Sequence, residues 1–233
     1  MAIVGVLFDK DGTFVDFDNT WGPTTFAVIR RLAKGDLDVM RAQAAAMHFS
    51  LETRRFLPTS PLIAGSSASY GELWGLALGR SDLTELKLEI DAMTAEESLA
   101  ALTPIGEPEP VMARLRRDGF RLGVATNDSE ASARRQVAAL GLAAHMEFVA
   151  GYDSGFGGKP APGMVEAFAR QLGVDAAEIA MVGDSLHDMH CARAAGAIAV
   201  AVLSGPAGAE ALADHADVVL ADIAALPDWL ARG

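Results

Sequence analysis

Ile3-Val4-Gly5-Val6-Leu7-Phe8-Asp9-Lys10-Asp11-Gly12-Thr13 is the stretch on which the fold turns. Its first six residues are apolar and rich in β-branched side chains, and a turn containing Gly12 closes them. That is the pattern of a strand buried on both faces, as in the middle of a parallel sheet. Similar runs recur at Arg121–Thr126, Phe148–Ala150, Ile179–Val182, Ala197–Val202 and Val218–Leu220. Helix-like segments lie between them: Pro108–Asp118 stops at Gly119, Ser129–Leu140 at Gly141, Pro162–Leu172 at Gly173 and Leu186–Ala195 at Gly196. A glycine commonly stands where a helix ends. The alternation of strand and helix predicts an α/β fold with a doubly wound parallel-sheet, Rossmann-like core built from right-handed βαβ units.

Residues 17–104 read differently. Leu83, Leu86, Lys87 and Ile90 are spaced as on a helix, and no convincing strand run appears. Pro58–Ser69 is crowded with Pro, Gly and Ser, which predicts a long loop. The expected organisation is a catalytic core of residues 1–16 and 105–233, with residues 17–104 inserted as an all-helical cap domain. Ligands of open α/β sheets sit beyond the carboxyl ends of the strands, so polar motifs at those ends carry the functional argument.

The bulk properties narrow the classes. A chain of 233 residues, 51% hydrophobic, suits one large domain or a core with an insert. A net charge of −12 argues against non-specific nucleic-acid binding, which needs a basic surface. Cys191 is the only cysteine, so no intrachain disulfide can form. The apolar run at the N-terminus lacks a basic flank and is broken by Asp9-Lys10-Asp11; it makes a poor signal peptide and is too short to span a bilayer. A cytoplasmic protein with no nucleic-acid or membrane partner is expected, either monomer or homodimer.

Four motifs follow predicted strands or precede predicted helices. In the first, Asp9 and Asp11 leave a buried strand two residues apart. Their repulsion is costly unless a cation lies between them or one is protonated. One acid could attack while the other moves a proton; the plainer alternative is a solvated Asp-Gly turn. In the second, Val124-Ala125-Thr126-Asn127-Asp128, a hydroxyl and backbone N–H groups before a helix could hold a phosphoryl oxygen, or could simply cap the helix. In the third, Gly157-Gly158-Lys159-Pro160-Ala161-Pro162, one of only four lysines sits in a stiff setting, either as a placed cation or as an exposed loop residue. In the fourth, Gly183-Asp184-Ser185-Leu186-His187-Asp188, two carboxylates span a strand-to-helix turn. Hard oxygen donors beside phosphate point to Mg²⁺, although Asp188 could merely complement a helix dipole. Together they amount to the parts needed for phosphoryl transfer.

In this order the motifs resemble the haloacid dehalogenase superfamily of phosphatases, in its phosphoglycolate-phosphatase-like branch with a helical C1-type cap. The resemblance implies a small phosphorylated metabolite as substrate and an aspartyl phosphate formed on Asp9, with Asp11 as acid and then base. It implies Thr126, Asn127 and Lys159 at the phosphate, with Thr126 and Lys159 also serving catalysis. It implies Mg²⁺ held by Asp9, the Asp11 carbonyl, Asp184 and Asp188, the last directly or through water. Dehalogenases of this superfamily lack the second acid, transport ATPases carry Thr there, and phosphonatases need a cap lysine for which Lys34 and Lys87 offer no supporting context. A sugar-phosphate mutase and a non-catalytic binding protein on the same fold are the alternatives. The expected cap closes over the leaving group. Arg30, Arg31, Arg41, Arg54, Arg55 and Arg80 are its candidate carboxylate partners, and Ser66, Ser67 and Ser69 could line its pocket. His48, Trp21, Phe49, Tyr70 and Trp74 read as cap core and Cys191 as a small core residue. His190 reads as structural, and His187 could approach the mouth of the site.

Overall fold

A computed structural model describes residues 2–57, 59–60 and 70–232, with only the backbone at Tyr70. The Pro58–Ser69 loop, including Ser66, Ser67 and Ser69, thus lies almost wholly outside the described residues. Backbone contacts divide the chain into two compact units, Met1–Asp16 with Pro104–Gly233, and Phe17–Thr103.

The first unit starts with β1 (Gly5–Phe8), buried at every residue. The second unit follows, with α1 (Phe17–Leu32), α2 (Leu37–Ala46), β2 (Phe49–Ser50), β3 (Arg55–Phe56), α3 (Tyr70–Leu78) and α4 (Leu83–Ala100). Val28 and Ile29 of α1, Met40 and Ala44 of α2, Trp74 of α3, and Leu86 and Ile90 of α4 form its core. Leu86 and Ile90 stand one helical turn apart, as their spacing requires. Asp36 caps α2, its carboxylate accepting from the N–H groups of Asp38 and Val39. The antiparallel β2–β3 hairpin is an addition to the all-helical expectation. It pairs Phe49 with Phe56, whose rings lie 5.1 Å apart.

The chain then re-enters the first unit through α5 (Pro108–Arg117), β4 (Arg121–Ala125), α6 (Glu130–Ala139), β5 (Met146–Ala150), α7 (Gly163–Leu172), β6 (Ile179–Gly183), α8 (Leu186–Ala195), β7 (Ile198–Val202), α9 (Ala209–Ala213), β8 (Val218–Leu220) and α10 (Leu226–Leu230). Among the described residues the sheet has six strands in the order β5-β4-β1-β6-β7-β8, and every pairing is parallel. The fold is α/β with a doubly wound, Rossmann-like core. Leu7, Phe148, Met164, Phe168, Ile179, Met181 and Met189 pack together between sheet and helices.

The strand order places the site. The chain runs outward from β1 through β4 to β5, then returns to the other flank of β1 as β6. That reversal makes a switch point beside β1, where ligands of such sheets bind. Phe8 pairs with Val124 on one side and Val182 on the other. The residues just beyond, Asp9, Thr126 and Asp184, therefore emerge near one level at the same sheet edge.

Candidate active site

Asp9 leaves β1 with its N–H on the Val182 carbonyl at 2.8 Å. The chain then folds tightly, the Lys10 carbonyl accepting from the N–H groups of Phe14 at 3.1 Å and Val15 at 3.0 Å. Gly12 takes φ +75° in this turn, and a Cβ there would overlap the Asp184 carboxylate. Both demands suit glycine. Gly205, between β7 and α9, is packed against the same carboxylate, again with no room for a Cβ. Ser204 beside it donates to the Gly12 carbonyl at 2.7 Å.

Lys159 comes from the loop between β5 and α7. Its Nζ lies 2.7 Å from Asp9 Oδ1 and 2.6 Å from Asp188 Oδ1, and its side chain is almost fully buried. Asn127 fixes its backbone: the Asn127 Oδ1 accepts the Lys159 N–H at 2.8 Å, and Nδ2 donates to the Lys159 carbonyl at 3.0 Å. The Lys159–Pro160 peptide is cis. Asp188 is fully buried, and its Oδ2 accepts from the Ser185 N–H at 3.0 Å and the Ser185 hydroxyl at 2.6 Å. The two residues form a capping box at the start of α8.

Asp9, Asp184 and Asp188 each offer one carboxylate oxygen within 4.8 Å of the others. Three buried acids thus face one ammonium. Burial, only partly answered by Lys159 and reinforced by Asp188 and Asp11, pushes the Asp9 carboxyl up to about 7. Burial, then Asp9 and Asp188, holds Asp184 well above the usual carboxylate range. Burial opposes the charge of Lys159, but Asp188 and Asp9 outweigh it and raise its pKa. Acids that resist ionisation in a set of hard oxygen donors are suited to a divalent cation such as Mg²⁺.

The other motif residues fall around this centre. Thr126 is buried, and its Oγ1 accepts the Asp128 N–H at 3.1 Å, which leaves the hydroxyl hydrogen to donate. Asp11 does not join the three converging acids; Lys10 Nζ sits 2.8 Å from each of its oxygens. The sequence motifs do not single out Lys10, Ser204 or Gly205. Lys10 alone carries a signal: side chains alternate along an extended chain, so the residue between two acids points the other way.

Other candidates sort more simply. Phe49 and Trp74 are buried in the second unit and Trp21 is half-buried, but His48 is exposed, with φ +48° and Nδ1 2.8 Å from Thr59 Oγ1. The expectation that it belongs to the core is thereby corrected. The tight turn out of α2 aims it at solvent. Cys191 is buried, donates to the Ala161 carbonyl at 3.1 Å, and is pushed up to about 12 by burial. His187 is half-buried and burial lowers its pKa. His190 is exposed beside His215, at 3.3 Å. Of the arginines, Arg31 pairs with Glu96 and Glu97, Arg41 with Asp38, Arg55 with Asp18, and Arg80 with Asp82 and Glu89. Arg54 lies over the Phe26 ring, and Arg30 is exposed. Among the described residues no helix is long and apolar enough to cross a membrane.

A family model described as "Hydrolase: haloacid dehalogenase-like hydrolase" matches residues 3–196. A phosphoglycolate phosphatase of Rhodospirillum rubrum is 34% identical over 232 residues, covering 97% of this chain and 90% of that protein. An N-acetylmuramic acid 6-phosphate phosphatase of Pseudomonas aeruginosa is 25% identical, with 92% of each chain covered. Among solved structures, a phosphatase of this superfamily from Thermococcus onnurineus superposes with a TM-score of 0.69 at 22% identity, covering 98% of each chain.

Proposed function

The chain belongs to the haloacid dehalogenase-like hydrolases, as a phosphatase, and on that premise we propose that it hydrolyses small phosphate monoesters with Asp9 as the nucleophile. The observation that carries this reading is Lys159, bound at once to Asp9 and Asp188 inside a cluster of three buried acids.

An Asp9 oxygen forms a bond to phosphorus as the ester P–O bond breaks, and the electron pair leaves on the alcohol oxygen. Asp11 supplies the proton that neutralises that oxygen, then takes one from the water that cleaves the aspartyl phosphate and regenerates Asp9. The Thr126 hydroxyl and nearby N–H groups hold phosphoryl oxygens, and Lys159 orients Asp9 and balances the charge passing through it. Asn127 serves the same task by holding the Lys159 peptide, and its position after the strand end suits it to the phosphate. Mg²⁺ bound by Asp9, the Asp11 carbonyl and Asp184, with Asp188 through water, would offset the combined charge of acids and phosphate. The Asp188 oxygens already engaged by Lys159 and Ser185 favour that indirect mode.

Phosphoglycolate is the favoured substrate type. The two relatives above are named for phosphate esters of carboxylic acids, which supports an alcohol bearing a carboxylate. A cytoplasmic setting belongs to the same reading. The test is phosphate release with and without Mg²⁺ from phosphoglycolate, sugar phosphates, nucleotides and an aryl phosphate. Metal-dependent release is expected from the wild type and none from Asp9→Asn. Retained activity in that variant refutes the covalent mechanism, and isomerised product without free phosphate replaces hydrolysis with a mutase reaction.

A further inference from the structure

The mechanism above gives Lys10 no task, yet its side chain is wholly buried. A lysine is rarely buried unless fixed acceptors meet its ammonium. Here Nζ stands 2.8 Å from both Asp11 oxygens, 2.6 Å from Gln136 Oε1 and 3.4 Å from Asp128 Oδ2. Gln136 is itself fully buried on α6, and Asp128 begins the turn into that helix. The Asp11 side chain is 18% exposed and that of Lys10 is not exposed at all. The ammonium therefore lies behind a carboxylate that still reaches solvent. A carboxylate held at both oxygens by one anchored cation cannot rotate without breaking charge-assisted bonds.

We propose that Lys10 is a positioning residue that fixes the Asp11 carboxyl for proton transfer to the leaving oxygen, with Gln136 and Asp128 as its anchors. The inference rests on Asp11 being the acid and base of the reaction. Lys10 keeps its proton throughout; the neutral Asp11 carboxyl gives its proton to the ester oxygen as the P–O bond breaks, and the carboxylate so formed, held by Lys10 at both oxygens, takes a proton from the attacking water in the second half. Placement matters because general acid catalysis contributes about 10²–10⁴-fold and falls steeply with misorientation.

The leaving group separates this role from a merely structural one. An alkyl alkoxide needs a proton to depart and 2,4-dinitrophenolate does not. We would measure kcat/KM, which reports only the first half-reaction, for phosphoglycolate and for 2,4-dinitrophenyl phosphate in the Mg²⁺-loaded wild type, Lys10→Met, Gln136→Met and Asp9→Asn. Lys10→Met should lose about 100-fold on the alkyl ester, and at least ~10-fold less than that on the aryl ester. Equal losses on both esters overturn the proposal. If circular dichroism shows Lys10→Met unfolded, Gln136→Met decides. It keeps the lysine but removes the 2.6 Å anchor, and it should show the same asymmetry at smaller size; a symmetric loss overturns the proposal there too. Activity in Asp9→Asn would instead sink the phosphoryl-transfer reading itself, so the two failures are distinguishable.

Discussion

Stripping divalent metal and raising the pH should remove stability from the strand ends around Asp9, by an amount the site itself sets. In the unfolded chain the Asp9 carboxyl ionises near 3.8, and in the folded, metal-free core burial pushes it up to about 7. Between these values the unfolded chain has released the proton and the folded chain still holds it. The folded state therefore binds more protons there, and each pH unit across the window costs about 1.4 kcal/mol of stability. The contribution is fully present below the unfolded value and is lost as the pH rises through the folded one. From pH 5 to pH 7, where the folded group is itself half ionised, the loss is about 2 kcal/mol. Asp184, raised by burial and then by Asp9 and Asp188, acts in the same direction. The assay is urea unfolding in EDTA at half-unit pH steps, for the wild type and Asp9→Asn. Many groups titrate over this range, so the quantity to read is the difference between the two proteins. The uncharged variant should gain on the wild type by about 2 kcal/mol between pH 5 and 7 and level off above. Millimolar Mg²⁺ should shrink that gain, because binding to the ionised acids stabilises the folded wild type. Parallel pH profiles for the two proteins in EDTA would refute the burial argument. A gain that Mg²⁺ leaves untouched would refute the metal assignment.

Gly205→Ala forces a Cβ into the Asp184 carboxylate, so kcat should fall by about 100-fold or more, as expected when a catalytic constellation is displaced. Gly208→Ala, where nothing lies within 4 Å of a new Cβ, is the matched control and should keep wild-type turnover; equal behaviour of the two would sink the packing argument. Asn127→Ala removes both amide bonds to the Lys159 peptide. It should cost about 1–2 kcal/mol in chemical unfolding and at least ~10-fold in kcat. A stability loss with kcat intact would show that the amide braces the loop without positioning the lysine.

How far the sequence can be read depends on the range of the interaction that decides each feature. Strands such as Ile179–Gly183 are legible because a strand buried on both faces must be apolar at every residue, a purely local demand. The Phe49–Ser50 and Arg55–Phe56 hairpin was not, since two residues per strand cannot display an alternation. Asp9, Thr126 and Asp184 could be picked out because a polar residue directly after an apolar run has to surface at the sheet edge. What they would pair with lay beyond local reach. Asn127 reads as a phosphate ligand at a strand end, yet its amide, which offers a donor and an acceptor like a peptide, matches the Lys159 backbone 32 residues away. Lys10 is the sharper case. Asp-Lys-Asp looks like a solvated turn, and alternation alone sends the lysine to the side opposite the two acids. Whether the interior would accept an ammonium depended on Gln136, 126 residues further on, and on Asp128. Local pattern can thus say which way a charge must point at a strand end, but only the distant chain decides whether pointing there is stable.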